Sequence, residues 1–309
     1  MNRIVAEQNG ERQLDFLAAQ RQLYSAAKRI LLVQITIAGP LVLLTTLIGF
    51  SFAPTKPYVA LWGVLAALLD VVVLVPWQRF LRTQAARIQE LFDCHVLDLP
   101  WNTLKVGDPP DPELVREQSK KYQSVSARMP PLTNWYGWEN GRLPLYVARL
   151  LCQRANCWWD GKQRRRYALW VVIATVAIFL AVLAGGLIGG LTLEDFMLQV
   201  IAPTSPTFVV GIRQVLEQMD AAKRVDALKI HAEALWRASL EGRAVDDAGA
   251  RSRELQDEIF ESRKRSPLIP DAIYRFLQPG FEEEMRFGIE ELVTQAEAQL
   301  GRDKDAKLP

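Results

Sequence analysis

Eight side chains between residues 101 and 159 have the chemistry to hold a planar, charged small molecule: Trp101, Asn102, Trp135, Tyr136, Trp138, Arg154, Trp158 and Trp159. The rings offer stacking faces. The asparagine amide can pair with both donor and acceptor on a base edge, and the guanidinium can take a phosphate. These are the parts needed to grip a nucleotide. A competing reading makes Trp135, Trp138, Trp158 and Trp159 interfacial or core aromatics of a domain close to a membrane.

Other chemistries are poorly supplied. Cys94, Cys152 and Cys157 are odd in number and lack the spacing of a disulfide framework. Cys152-x4-Cys157 with Cys94-His95 lacks the paired C-x2-C of a zinc site. Cys94 and His95 are neighbours, and neighbours on a helix point apart. Only one other histidine, His231, is present. The chain has no G-x-S-x-G, phosphate loop or G-x-G-x-x-G fingerprint. With no convergent acid, base and nucleophile, the expectation is a non-enzyme without metal or cofactor.

The candidate residues lie in a polar block, and the flanking sequence must position it. The chain has 309 residues, half of them hydrophobic, with a net charge of +2. That balance gives no overall polyanion binder, so DNA and RNA are not expected partners. The averages hide two populations: apolar runs with almost no charge, and segments as charged as any soluble surface.

Residues 1–29 read as an amphipathic juxtamembrane helix with Leu14, Leu17, Ala18 and Tyr24 near one face. They are polar at the start, and the first apolar run is too long for a signal-peptide core, so no secretory signal is expected. Residues 30–52 and 58–77 each reach the ~20 apolar residues that cross a bilayer. Gly39-Pro40 should bend the first, and Tyr58 and Trp77 mark the interfaces of the second. Residues 167–191 form a third span, whose Gly185-Gly186 and Gly189-Gly190 allow close helix approach. Residues 196–212 form a weaker fourth, with Pro203 and Pro206 predicting a broken or re-entrant helix. The two intervening turns carry only Lys56, whereas Arg21, Lys28, Arg29, Arg79, Arg82, Arg87, Lys162, Arg164, Arg165, Arg166, Arg213, Lys223 and Arg224 flank the other ends. The positive-inside rule then places both termini and the polar block in the cytoplasm.

The expected organisation is therefore all-α. It comprises a juxtamembrane helix (1–29), a transmembrane hairpin (30–77), a cytoplasmic helical insert (78–166), a second hairpin (167–212) and a C-terminal cytoplasmic helical segment (213–309). Within the insert, Asp111-Pro112 starts a helix to about Arg128, stopped by Met129-Pro130-Pro131, and a further helix covers 143–159. In the last segment, Val225, Leu228, Ala232 and Leu235 repeat at helical spacing beside a Glu233–Arg237 pair. Further helices cover 245–264 and 281–300, with Pro279-Gly280 as a break. The polar residues inside the spans, Gln34, Thr45, Asp70, Pro203 and Pro206, are candidates for pore or gate. Asp70 stands out, because a charge at that depth is costly and must face protein or water. A structural hydrogen bond is the alternative.

Four stretches stand out: Phe92-Asp93-x-x-Val96-x-x-Leu99-Pro100-Trp101-Asn102, Trp135-Tyr136, Cys152-Gln153-Arg154-x-Asn156-x-x-Trp159-Asp160 and Arg253-x-Leu255-Gln256-Asp257-x-Ile259-Phe260-x-x-Arg263. They resemble the SMODS-associating four-transmembrane effectors found beside bacterial cyclic-oligonucleotide synthases. The similarity runs in order over residues 10–295. It implies anti-phage defence of the CBASS type. A cGAS-like nucleotidyltransferase makes a cyclic di- or trinucleotide, the effector binds it as an oligomer in the bacterial inner membrane, and the bilayer is permeabilised. Chemistry at the matching motifs nominates Trp101, Asn102, Trp135, Tyr136, Arg154, Asn156, Trp159, Gln256, Asp257 and Arg263 as ligand-binding residues. The competing function is a membrane scaffold that recruits a partner through its charged C-terminal helices and forms no pore.

Overall fold

The computed structural model describes residues 2–124, 132–242 and 247–305. The expected helix end at Arg128, its Met129-Pro130-Pro131 stop and the start of the 245–264 helix fall outside them. Of the described residues, 86% are helical and none lies in a strand. The helices are α1 (Ile4–Glu7), α2 (Glu11–Ala38), α3 (Pro40–Ser51), α4 (Lys56–Leu69), α5 (Val75–Val96), α6 (Thr103–Val106), α7 (Pro112–Gln123), α8 (Leu145–Ile188), α9 (Leu193–Phe196), α10 (Ala202–Leu240), α11 (Ala248–Arg265) and α12 (Asp271–Asp305). Short π-helical segments, Asp70–Leu74 and Met197–Ile201, join α4 to α5 and α9 to α10.

Four helical stretches are long and apolar enough to cross a membrane: Glu11–Gly49, Pro57–Val96, Leu145–Ile188 and Leu193–Leu240. Each is about twice the length a bilayer needs. The surplus continues out of the apolar zone and builds a polar head on a membrane stem. The two parts bury different things. In the stem, Leu47, Leu61, Val71, Val72, Leu180 and Leu198 are exposed, as lipid-facing side chains are. In the head, α2 turns Phe16, Gln20, Leu23 and Ala27 inward at helical spacing. Phe16 and Leu23 join Ile88 and Phe92 of α5, Leu150 and Leu151 of α8, Leu235 of α10, Ile259 of α11 and Val293 of α12 in the main core, and Ala27 packs in a smaller cluster with Leu31 and Leu268. One core thus unites the N-terminal helix, the central insert and the C-terminal helices.

Local details explain where helices break and where they do not. Gly39-Pro40 does more than bend the first span. It ends α2, and α3 restarts at Pro40. The Ala38 carbonyl at this break accepts from the Thr207 hydroxyl of α10 at 2.8 Å, so a neighbouring span satisfies it. The fourth span, expected to be broken by its prolines, is instead continuous: Pro203 opens α10 and Pro206 lies inside it. Pro206 supplies no N–H for the Ala202 carbonyl, and the Ser205 hydroxyl donates to that carbonyl at 2.8 Å. Both π-helical segments end two residues before a proline, Pro76 and Pro203. The wider turn gives the ring room that an α-turn denies it. Pro279-Gly280 does not interrupt α12 either, which runs as one helix of 35 residues. The helix expected over 143–159 starts at Leu145, with Pro144 as its N-cap, and continues through the third span to Ile188. Glu233 pairs with Arg154 and Lys229 instead of Arg237.

Close packing of the third and fourth spans depends on glycines, only one of which belongs to the expected set. A methyl group on Gly186 would stand 2.3 Å from the Phe196 ring, and one on Gly211 would stand 2.4 Å from Thr175 Oγ1; one on Gly185 would meet nothing within 4 Å. We expect Gly211→Ala to destabilise the stem by about 1–3 kcal/mol through overpacking. Gly185→Ala should be neutral or better. Thermal melts of the detergent-solubilised variants separate the two, and equal melting temperatures would refute this packing account.

Candidate functional site

The motifs around residues 90–102 and 253–263 meet through charge. Glu90 and Asp93 lie one turn apart on the buried face of α5, and α11 brings Arg253, Gln256, Asp257 and Arg263 against them. Arg253 reaches Glu90 at 2.5 Å and Asp257 at 2.9 Å. Arg263 reaches Asp93 at 2.5 Å. Gln256 Nε2 donates to Glu90 Oε2 at 2.9 Å and to Asp93 Oδ2 at 3.0 Å. The Tyr136 hydroxyl donates to Asp93 Oδ1 at 2.6 Å and accepts from Asn156 Nδ2 at 3.0 Å. Asn102 donates to Asp257 at 2.7 Å.

Three carboxylates thus face two guanidiniums. Burial, then the charge of Asp93, pushes the Glu90 carboxyl up from its ordinary value, against the pull of Arg253 and Arg263. Burial works against the charge of Arg263, but Asp93, Tyr136 and Glu90 outweigh it and hold its pKa above the usual arginine value. Burial likewise pushes the Cys94 and Cys157 thiols up to about 12, so both are protonated at neutral pH.

Beside this network lies a cavity of about 220 Å³, walled by α2, α8, α10, α11, the start of α12 and the link before it. Trp135, Trp159, Tyr24 and Tyr274 supply its aromatic faces. Its cations are Arg21, Lys28, Arg164, Arg263 and Arg275, against the carboxylates Asp160 and Asp271. Arg164 pairs with Asp160 at 2.9 Å and Lys28 with Asp271 at 2.7 Å. Arg21 lies 5.9 Å from the Trp135 ring and 5.2 Å from the Tyr274 ring, and donates to the Tyr274 hydroxyl at 3.0 Å. Trp159 meets Phe281 edge-on at 5.9 Å.

Of the ten nominated residues, the fold brings Trp135, Asn156, Trp159 and Arg263 to this cavity. Tyr136, Gln256, Asp257 and Asn102 belong to the buried network. Trp101 packs against the core and donates its indole N–H to the Gly107 carbonyl at 2.8 Å. Arg154 pairs with Glu233 at 2.9 Å. Sequence reasoning did not select Arg21, Tyr24 and Lys28, which share one face of α2, or Tyr274 and Arg275 of α12. Their signal was faint: a basic, aromatic repeat that also suits a solvated helix face.

A second cavity, about 550 Å³, lies between the spans. Gln34, Asp70 and Pro206 line it. Gln34 donates to Asp70 Oδ1 at 2.6 Å and accepts from Gln78 at 2.7 Å, so Asp70 is hydrogen-bonded inside the wall. Thr45 turns its hydroxyl back to the Leu41 carbonyl at 2.9 Å, and Pro203 lies outside the cavity at the start of α10.

The two cavities share Pro267 and Leu268. These belong to the non-helical link between α11 and α12, residues 266–270, and every span reaches it. Arg82 of α5 donates to the Ser266 carbonyl at 3.0 Å, Arg164 of α8 to the Pro267 carbonyl at 2.8 Å, and Gln218 of α10 to the Leu268 carbonyl at 3.0 Å. Ala27 and Leu31 of α2 pack on Leu268.

Residues 2–292 match the family described as the SMODS-associating 4TM effector domain. The chain belongs to this family of membrane effectors. With its four long apolar helices it is a multi-pass membrane protein. It is also 24% identical, over 91% of its length and 95% of the relative's, to a protein of Bacillus cereus (strain VD146) described as a probable CBASS effector molecule. No solved structure matches it. Among the described residues, no group of three or more His, Cys, Asp or Glu side chains is set to hold a metal ion.

The network predicts an asymmetry between its two carboxylates. Asp93→Asn takes from Arg263 its 2.5 Å partner and leaves it only Glu90, at 4.0 Å, and should cost about 3–5 kcal/mol. Glu90→Gln removes a charge that burial already disfavours, leaves Arg253 paired with Asp257 at 2.9 Å, and should cost about 1 kcal/mol or less. The folded chain holds a proton on Glu90 more readily than the unfolded chain does. This group's contribution therefore favours folding at low pH and is lost as pH rises through its raised pKa. Glu90→Gln should flatten that part of the slope. Melting curves followed by tryptophan fluorescence at several pH values check both statements, and equal losses for the two variants would refute the first.

Proposed function

We propose that this chain is a cyclic-oligonucleotide-activated, pore-forming effector of CBASS anti-phage defence, working as a homo-oligomer in the bacterial inner membrane with its head and both termini in the cytoplasm. The observation that carries the reading is the link at residues 266–270: one irregular segment walls both the aromatic, arginine-rich cavity of the head and the cavity among the spans. The head cavity has the chemistry for bases and phosphates. Trp135, Trp159 and Tyr274 can stack, and Arg21, Arg263 and Arg275 can meet phosphate oxygens. At about 220 Å³ it is smaller than the ~300 Å³ at the low end of ordinary ligand pockets. A cyclic di- or trinucleotide must therefore widen it. The link is the wall without a helical ladder of its own, so it is the wall that yields.

Ligand binding then biases an equilibrium between two arrangements of the link and the spans tied to it. The bias equals the difference in affinity for the two, and a ligand binding both alike would shift nothing. Each protomer has few polar side chains in its spans, so a water-filled path requires several copies. Gln34 and Asp70 are the groups that would face such a path. The relative's description and the positive-inside charge pattern support the same assignment.

The test is release of dye from liposomes carrying the purified protein, with a panel of cyclic di- and trinucleotides added outside. One nucleotide should trigger release. Trp159→Leu should weaken its binding, measured by calorimetry, by tenfold or more, while Arg154→Ala, whose partner is Glu233, should leave it within about twofold. Asp70→Asn should change conductance without changing ligand affinity. Folded, inserted protein that binds a nucleotide and releases nothing would sink the pore and favour a scaffold.

A further inference from the structure

The cavity among the spans is amphipathic along its length. Inward of the hydrogen-bonded Gln34–Asp70 pair its wall is apolar, with Val42, Trp62, Ala66, Ala67 and Val210. A side chain added at Gly63 would enter open space, with nothing within 4 Å. Its outer part, beyond the interfacial Trp77, is ringed by Arg79, Arg82, Arg213, Arg224 and Arg265, with Glu217 and Asp220 as the acids. Arg213 is paired with Glu217 and Arg265 with Glu261. Asp220 pairs with Lys223. Arg79, Arg82 and Arg224 have no carboxylate partner among the described residues. Arg82 uses one nitrogen on the Ser266 carbonyl, and its Nε is buried with no acceptor. A buried guanidinium N–H without an acceptor is costly, and three arginines without a carboxylate partner leave positive charge uncompensated at the mouth of an apolar cavity.

We propose that this cavity is a binding site for an anionic phospholipid, with the phosphate on Arg79, Arg82 and Arg224 and an acyl chain running inward past Val75 and Ala67 towards Trp62. The placement suits a lipid better than a soluble anion. Trp77 sets the headgroup level, the arginines lie just outside it, and the apolar part lies at hydrocarbon depth. Basic pockets between membrane helices on the cytoplasmic side are where anionic headgroups are held. Arg82 lines the cavity while one of its nitrogens holds the Ser266 carbonyl, and the guanidinium has further N–H donors for a phosphate oxygen. Occupancy would leave the Arg82–Ser266 bond in place, so the lipid braces α5 where it holds the link.

The experiment is thermal melting of the full chain in neutral detergent with dioleoyl phosphatidylglycerol, dioleoyl phosphatidylcholine or inorganic phosphate added. Phosphatidylglycerol should raise the melting temperature saturably, and the other two should not. The double variant Arg82→Gln/Arg224→Gln should need at least tenfold more phosphatidylglycerol for the same shift. Arg165→Gln, which loses a head contact with Asp226, should respond as the parent does. Gly63→Leu keeps the arginines but fills the inner cavity, and should also lose the response; it keeps the test open should the double variant fail to fold. Equal shifts with phosphatidylcholine, an equal shift with phosphate alone, or an undiminished response in Gly63→Leu would each overturn the proposal.

Discussion

Two arginines of one helix have to be neutralised inside the head, and the rest of the structure follows from how that is done. Arg253 and Arg263 lie ten residues apart on α11 and meet Glu90 and Asp93, which lie one turn apart on α5. Charges so buried tolerate little displacement, because losing a partner strands the other in a medium that solvates it poorly. The pairing therefore fixes α11 across the outward extension of the second span. It also fixes Tyr136 through Asp93 and Asn156 through Tyr136. A segment distant in sequence is thereby locked to the part of the chain that leaves the membrane.

Once α11 is pinned, the link that follows it has a fixed origin. Its carbonyls at residues 266, 267 and 268 have no helical partners, so side chains must satisfy them. The donors come from the extensions of the second, third and fourth spans, with packing from the first. The same backbone need that caps an ordinary helix end here joins four membrane helices to one short segment. Two cavities share that segment as a wall because all four helices converge on it.

Much of this architecture was legible from sequence, because hydropathy and local charge act over short distances. The two hairpins, Asp111-Pro112 as a helix start and the inward set of Val225, Ala232 and Leu235 all follow from spacing alone. Proline was the misleading signal. Pro206 and Pro279 predict breaks, yet a hydroxyl from Ser205 replaces the bond lost at Pro206 and α12 runs on through Pro279. Residue type identified aromatic, amide and arginine chemistry but not its neighbours in space. Trp159 faces the head cavity while Arg154, five residues earlier on α8, faces Glu233 of α10. Arg21 and Tyr274 lie more than 250 residues apart and meet only once the N-terminal helix and α12 have packed on the same core.

The length of α8 has a mechanical meaning. From Arg164, where the helix is tied to α10 and to the link, to Ile188 is about 36 Å of unbroken helix. Such a rod acts as a lever with its fulcrum in the head, so a tilt of about 5° moves its far end by about 3 Å, the width of a water molecule. At that end Gly189-Gly190 precede the turn, and Leu187 and Ile188 are exposed. The side of the membrane farthest from the head is thus where a small rearrangement around Arg164 is most amplified.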